Sequence, residues 1–205
     1  KIFLGYVAGT GKTYAMLEMA HVLKKEGIDV VAGYIEPHDR PDTVKMMEGI
    51  EQLPFKMEEY KGHKFREFDL DAALLRKPKV ILVDELAHTN VPGCRHEKRY
   101  QDIEELLDHG INVYTTVNIQ HLESLNDVVE NITGVEVKER IPDSDFDGAD
   151  QVKMVDIEPE ELILRMKEGK IYRKTQSARA LNNFFKKNKL TALREMALRR
   201  MADRV

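Results

Sequence analysis

The sequence predicts an α/β fold, a mostly parallel β-sheet flanked by helices, of P-loop NTPase type and with a C-terminal helical extension. Apolar strand-like runs alternate with helical patterns, which is the signature of βαβ units. The first run, Lys1-Ile2-Phe3-Leu4-Gly5-Tyr6-Val7, leads straight into Gly9-Thr10-Gly11-Lys12-Thr13 and then a helical pattern. A later run, Lys79-Val80-Ile81-Leu82-Val83, ends in the acidic pair Asp84-Glu85.

Strands are expected over Lys1–Val7, Asp29–Ile35, Lys79–Asp84 and Asn112–Asn118, followed by Glu136–Ile141 and Gln151–Ile157. Their uninterrupted Val/Ile/Leu content suits strands buried on both faces. Helices fit Thr13–Glu26, Pro41–Gly49, Leu70–Lys77, Arg99–His109 and Ile119–Asn131; Gly27 and Gly110 follow two of them as C-terminal stops. The segment Glu51–Asp69 is charged and irregular and reads as an extended excursion. Asp143–Asp150 resembles the start of a calcium loop but lacks its closing Glu, so it reads as an acidic surface turn. From Glu158 the pattern is helical over Glu160–Glu168, Gln176–Lys186 and Leu190–Arg204. A boundary is therefore expected between a nucleotide-binding α/β unit, residues 1–157, and a basic helical extension, residues 158–205.

The glycine-rich turn carries the first chemistry. Between a buried strand and a helix, it leaves backbone N–H groups without partners and aims them at one spot beside the positive helix end. Gly9, Thr10, Gly11, Lys12 and Thr13 would hold the phosphates of a nucleotide such as ATP, with Lys12 on the terminal phosphates and the Thr13 hydroxyl on Mg²⁺. The full G-x-x-x-x-G-K-[ST] pattern wants glycine where Tyr6 stands, and Gly5 is one place early. At the acidic strand end, Asp84 would serve the Mg²⁺ shell and Glu85 would orient or deprotonate a water. Such a strand end is common by itself; with the upstream Gly-Lys-Thr it points to nucleotide binding.

In additional-strand P-loop ATPases the strand beside the acidic one ends in a polar residue that senses the terminal phosphate. Asn118 holds that place, and a plain cap for the helix from Ile119 is the alternative. Arg95 and Lys98, in the polar loop after the acidic pair, are phosphate-neutralising candidates against a solvated basic loop. His88, Cys94 and His96 lack the spacing of a four-ligand zinc site.

Composition sets the limits. With 205 residues, 42% hydrophobic and 33% charged, the chain can bury a substantial core. No apolar stretch approaches the roughly 20 residues that span a bilayer, and the single Cys94 excludes an internal disulfide. The chain begins inside a strand and stops in a helical pattern, which reads as a piece of a longer protein. Residues 165–205 carry thirteen Lys/Arg against three Asp/Glu, a net of +10, while the rest nets −14. Such a tail calls for an acidic partner: nucleic acid, an anionic membrane or the acidic body itself. Without a base-stacking motif, nucleic acid is not expected as a partner.

The strings Gly-Lys-Thr-Tyr-Ala-Met-Leu (11–17), Val-Asp-Glu-Leu-Ala-His-Thr-Asn-Val-Pro-Gly (83–93), Arg-His-Glu-Lys-Arg-Tyr-Gln-Asp-Ile-Glu-Glu-Leu-Leu (95–107), Tyr-Thr-Thr-Val-Asn-Ile-Gln-His-Leu-Glu-Ser-Leu-Asn-Asp (114–127) and Ala-Leu-Arg-Glu-Met-Ala-Leu-Arg-Arg (192–200) together resemble one family. It is the N-terminal cytoplasmic domain of the KdpD osmosensitive potassium-channel sensor histidine kinases. Where that family commonly has Ser and Trp, this chain has Cys94 and Tyr100. The resemblance implies a cytoplasmic, ATP-binding regulatory domain of an inner-membrane two-component kinase, modulating the balance of kinase and phosphatase activity. Its implied partners are the other cytoplasmic domains of the same kinase and, through the parent, the response regulator; oligomers are compatible. The kinase core is outside this chain, so slow ATPase activity is the most it would have. An autonomous P-loop ATPase or small-molecule kinase remains an alternative, supported by Glu85. A nucleotide-independent interaction domain is another, supported by Tyr6.

Overall fold

A computed structural model describes residues 1–169 and 185–205. In chain order the strands are β1 (Ile2–Gly5), β2 (Val30–Tyr34), β3 (Glu51–Gln52), β4 (Lys56–Tyr60), β5 (His63–Glu67), β6 (Val80–Val83), β7 (Asn112–Asn118) and β8 (Val152–Met154). The helices are α1 (Lys12–Lys25), α2 (Pro41–Met47), α3 (Leu70–Arg76), α4 (Arg99–Asp108), α5 (Asn126–Thr133), α6 (Asp143–Asp147), α7 (Pro159–Lys167) and α8 (Lys187–Ala202). Six strands form one sheet in the order β3-β2-β6-β7-β1-β8, and every pairing is parallel. The strand that leads into the glycine loop is thus separated from the strand ending in Asp84 by β7 alone.

Alternation along the strands builds two cores. Phe3, Val80 and Leu82 face one side, where Met16, Leu17 and Ala20 of α1 cover them. Their neighbours Ile2, Leu4, Ile81 and Val83 face the other side, against Leu106 of α4, Leu162 of α7 and Leu190 and Leu193 of α8. With both faces buried, a slip of one residue would exchange two differently shaped surfaces, so the register is strongly held. Gly33 marks a tight point in β2: a Cβ there would come within 2.7 Å of Ile81 and 2.8 Å of Phe68.

Several expected elements differ. Glu136–Ile141 is not a strand; its contribution is a single bridge between Leu122 and Ile141. Val137 and Ile141 turn inward while the Arg140 Nε donates to the Val137 carbonyl at 2.9 Å, so a side chain serves this backbone locally. Ile119–Asn131 is not one helix. Two 3₁₀ turns, Ile119–His121 and Glu123–Leu125, precede α5, because Leu122 at φ −70°, ψ 123° is extended. Ile119 and Leu122 are both fully buried, and burying them sets this broken path. The expected strand Gln151–Ile157 shortens to β8, and the acidic turn from Asp143 contains a short helix pinned by buried Phe146. The excursion Glu51–Asp69 holds β3 and the antiparallel hairpin β4–β5. The expected helix Gln176–Lys186 lies almost wholly outside the described residues.

Of the three destinations for the basic tail, Arg194 and Arg200 of α8 meet the acidic body. Arg194 pairs with Asp156 at 2.6 Å and Glu158 at 3.1 Å. Arg200 pairs with Asp147 at 2.5 Å, and its guanidinium lies 5.0 Å from the Phe146 ring. Arg204, just beyond the helix, donates to the carbonyls of Phe146 and Ala149, each at 2.8 Å. Beneath these charges Leu190, Leu193 and Ala197 are fully buried. Burial rather than charge should therefore hold α8. Leu193→Ala is expected to lower unfolding stability by about 2–5 kcal/mol, and Arg194→Ala, at a partly exposed pair, by less than about 1 kcal/mol. Urea denaturation of the two variants checks the contrast, and equal losses would contradict it.

Candidate functional site

Between β1 and α1 the chain makes a tight loop whose glycines take left-handed backbone, Gly9 at φ 91° and Gly11 at φ 97°. Side chains rarely adopt such angles, which accounts for glycine at both positions. Tyr6, standing where the sequence pattern wanted glycine, is fully buried and points away into the core, donating its hydroxyl to the Ile157 carbonyl at 2.7 Å. Gly5 supplies the close approach instead: a Cβ there would lie 2.5 Å from Thr10 Oγ1 and 2.9 Å from Lys12 Cδ. The Lys12 side chain thus folds back over β1 and donates to the Val7 carbonyl at 3.2 Å. Burial pulls its ammonium down to about 8; Asp84 opposes that shift and Arg40 adds to it.

Asp84 follows β6 and is buried. Its carboxylate accepts from Thr13 Oγ1 at 3.0 Å, from the Thr116 hydroxyl of β7, and from the Glu36 backbone N–H at 3.1 Å. Burial pushes its pKa up and the neighbouring Glu85 adds to the rise, while these three hydrogen bonds oppose it. Glu85 occupies left-handed backbone at φ 61°, a strained setting for a residue with a side chain. Its N–H donates to Thr116 Oγ1 at 3.0 Å. One carboxylate oxygen lies 3.2 Å from His38 Nε2, and the other lies 3.9 Å from Arg99 Nη1. Burial alone would raise Glu85, but the His38 hydrogen bond and the charge of Arg99 hold it below the usual carboxylate range.

These groups open onto one cleft of about 210 Å³, at the carboxyl ends of the strands, where open α/β sheets bind ligands. Gly9, Gly11, Lys12, Thr13, Asp84, Glu85 and Asn118 all line it. Asn118 is the last residue of β7, paired in register with Gly5, and its Oδ1 is buried without a protein partner. Thr10 does not reach the cleft: its side chain is buried against Gly5. Arg95 is likewise elsewhere, paired with Asp71 and Glu105. Lys98 donates to the Ala87 carbonyl at 2.7 Å and Thr89 Oγ1 at 2.9 Å, so both basic candidates of that loop are engaged with protein groups.

Other contributors had no motif. His38, Arg40, His88, His121 and Glu139 complete the cleft wall. His121 contacts the Glu139 carbonyl through Nδ1 at 2.7 Å, and burial lowers its pKa. Arg99, fully buried, lies 4.1 Å from the Tyr34 ring and donates to the Asp84 carbonyl at 3.1 Å and to Glu67 at 3.2 Å. Glu67 also contacts His88 Nε2 at 3.0 Å. The position of His38 and Arg40 just past a strand's carboxyl end was the one available signal; nothing in the sequence marks Arg99 or Glu67.

The residues fit a divalent cation beside an anion. Thr13 and Asp84 offer oxygen donors of the kind Mg²⁺ takes, and one or two protein ligands are usual for it. Among the described residues no group of three or more His, Cys, Asp or Glu side chains converges on a metal position. A cation here would complete its shell from phosphate and water.

A family model described as KdpD, osmosensitive K⁺ channel His kinase sensor domain, matches residues 1–205. The sensor protein KdpD of Clostridium acetobutylicum is 64% identical over 205 residues, covering 100% of this chain and 23% of that protein. Its counterpart in Escherichia coli is 58% identical over the same length, again 23% of the longer protein. One from Mycobacterium tuberculosis is 54% identical over 203 residues, 99% of this chain and 24% of the relative. The chain thus spans about a quarter of the length of these relatives. Among the described residues no helix is long and apolar enough to cross a membrane. On the whole-length match and these identities, the chain belongs to the KdpD family of osmosensitive potassium-channel histidine kinase sensor domains.

Proposed function

We propose that this chain is a regulatory ATP-binding domain of a two-component sensor histidine kinase controlling potassium-transport genes. In this reading it lies on the cytoplasmic side of an inner-membrane parent and shifts the kinase/phosphatase balance toward the response regulator. One observation carries it: Lys12, Thr13, Asp84 and Asn118, from the ends of two neighbouring strands and the start of one helix, converge on a single cleft. The placement of β7 between β1 and β6 suits an additional-strand P-loop ATPase. Tyr6, the main support for a nucleotide-independent domain, loses that weight because Gly5 provides the missing space.

The residues divide the work by chemistry. Backbone N–H groups of the glycine loop and the Lys12 ammonium would hold the phosphates. Thr13 and Asp84 would hold Mg²⁺, which supplies charge neutralisation across the phosphates. Asn118 Oδ1, buried without a partner, can accept a hydrogen bond from the attacking water, and the amide NH₂ would donate to the terminal phosphate. Glu85 would orient that water, yet one of its oxygens is held by His38, the other faces Arg99, and its basicity is lowered. Binding with slow turnover follows, which suits a regulatory module better than an autonomous ATPase.

Lys12→Ala should weaken Mg·ATP binding by about 10–100-fold, the worth of a charge-assisted contact, with the melting temperature unchanged. Titration calorimetry with circular dichroism checks this, and wild-type affinity in the variant would sink the proposal. Gly5→Ala should displace Lys12 and reproduce much of that loss with no charge removed, since its Cβ lands 2.9 Å from Lys12 Cδ. Undiminished binding there would contradict the role given to Gly5. In a phosphate-release assay, Glu85→Gln should retain ATP affinity and lose the slow hydrolysis. Hydrolysis at the wild-type rate would remove Glu85 as the water-orienting group.

A further inference from the structure

The cleft has two sides. One is the glycine loop with Lys12. The other is the strap Glu36–Arg40, which leaves β2 at the carboxyl end of the sheet and enters α2. Two contacts fasten the strap over the acidic pair, and a third closes it on itself. The Glu36 N–H donates to Asp84 Oδ2 at 3.1 Å, and His38 Nε2 lies 3.2 Å from Glu85. The Arg40 N–H donates to the Pro37 carbonyl at 3.0 Å, closing a turn through His38 and Asp39. Both of those residues hold left-handed backbone, φ 49° and 57°, though neither is glycine. Backbone of that kind persists only where its surroundings impose it. Here it carries the chain round so that Arg40 lines the same cleft as Lys12, Gly9 and Asn118.

We infer that Arg40 is the residue that tells a nucleoside triphosphate from a diphosphate in this cleft, by contacting the terminal phosphate from the side opposite Lys12. The inference rests on the nucleotide-binding reading above. Lys12 and Arg40 feel each other as like charges, and Arg40 lowers the pKa of both Lys12 and His38. Two cations facing one cavity repel, and an anion between them turns that repulsion into attraction on both sides. A diphosphate held by the glycine loop satisfies Lys12 alone, whereas a third phosphate extends toward the strap. A guanidinium suits that place, since its planar fork meets two phosphate oxygens at once where an ammonium meets one. Arg95, the arginine that sequence reasoning favoured for phosphate, is engaged with Asp71 and Glu105 outside the cleft.

The test compares Mg·ADP, Mg·ATP and a non-hydrolysable Mg·ATP analogue on this chain, by titration calorimetry, for the wild type, Arg40→Ala and Arg40→Lys. The wild type should prefer the triphosphates. Arg40→Ala should lose about tenfold or more in triphosphate affinity and leave Mg·ADP affinity unchanged, with Arg40→Lys intermediate. Thermal melts of each variant show whether the strap's anchorage survives. A variant that loses ADP and ATP binding equally, or keeps the wild-type ratio, overturns the role of Arg40 while leaving nucleotide binding intact. Failure of the wild type to bind either nucleotide would overturn the nucleotide reading and this inference with it.

Discussion

A buried carboxylate organises this molecule. Asp84 is almost wholly removed from water, and an isolated charge in that position would cost several kcal/mol. Its hydrogen-bond donors come from separate parts of the chain: the Thr13 hydroxyl at the start of α1, the Thr116 hydroxyl in β7 and the Glu36 backbone after β2. The Asp84 carbonyl in turn receives Arg99 from α4. One residue thereby ties together the ends of three strands and the beginnings of two helices. The cleft has its shape because these ends must meet there. Removing a single donor would leave that buried carboxylate one hydrogen bond short in a low-dielectric setting, which costs more than the bond is worth in water.

Legibility in the sequence followed the range of the interactions. Strands β1, β2, β6 and β7 were readable because burial on both faces demands long apolar runs, and Asn112–Asn118 matched to the residue. Lys12, Thr13, Asp84 and Asn118 were readable because the chemistry imposes spacing within a short segment, and the fold then brings them to one cleft. What failed was local sequence under tertiary control. Val137 and Ile141 resemble strand residues, yet they are single anchors of an irregular segment. The turns from Ile119 to Leu125 sacrifice helix continuity so that Ile119 and Leu122 can both reach the core. Thr10, in the middle of the motif, faces inward against Gly5. The strap and the Arg99–Glu67 pair joined the site only through long-range pairing, for which no short pattern exists.

The charge asymmetry has a similar explanation. A tail of +10 beside a body of −14 reads in sequence as a call for an acidic partner, outside the protein or in its own body. In the fold, Arg194, Arg200 and Arg204 line up with Asp156, Glu158, Asp147 and the carbonyls around α6. The acidic residues lie at the end of α6 and in the segment between β8 and α7. Complementary charge fixes the angle and position of the helix, and apolar contacts beneath it supply most of the stabilisation.

The order of the sheet also governs the order of birth. Strand β1 is made first, yet its neighbours are β7 and β8, with Ile2 registered to Thr115 on one side and Val152 on the other. A chain emerging from the ribosome therefore carries its glycine-loop segment for more than a hundred residues before either flanking strand exists. Closure of such distant ends is slow, and an unpaired apolar strand is exposed to misassociation meanwhile. The glycine loop cannot become rigid until β7 has arrived. Its helix is not backed by a complete core until β2 and β6 have joined the sheet. Within this domain the glycine loop is written before both strands that flank it and takes its shape only after them.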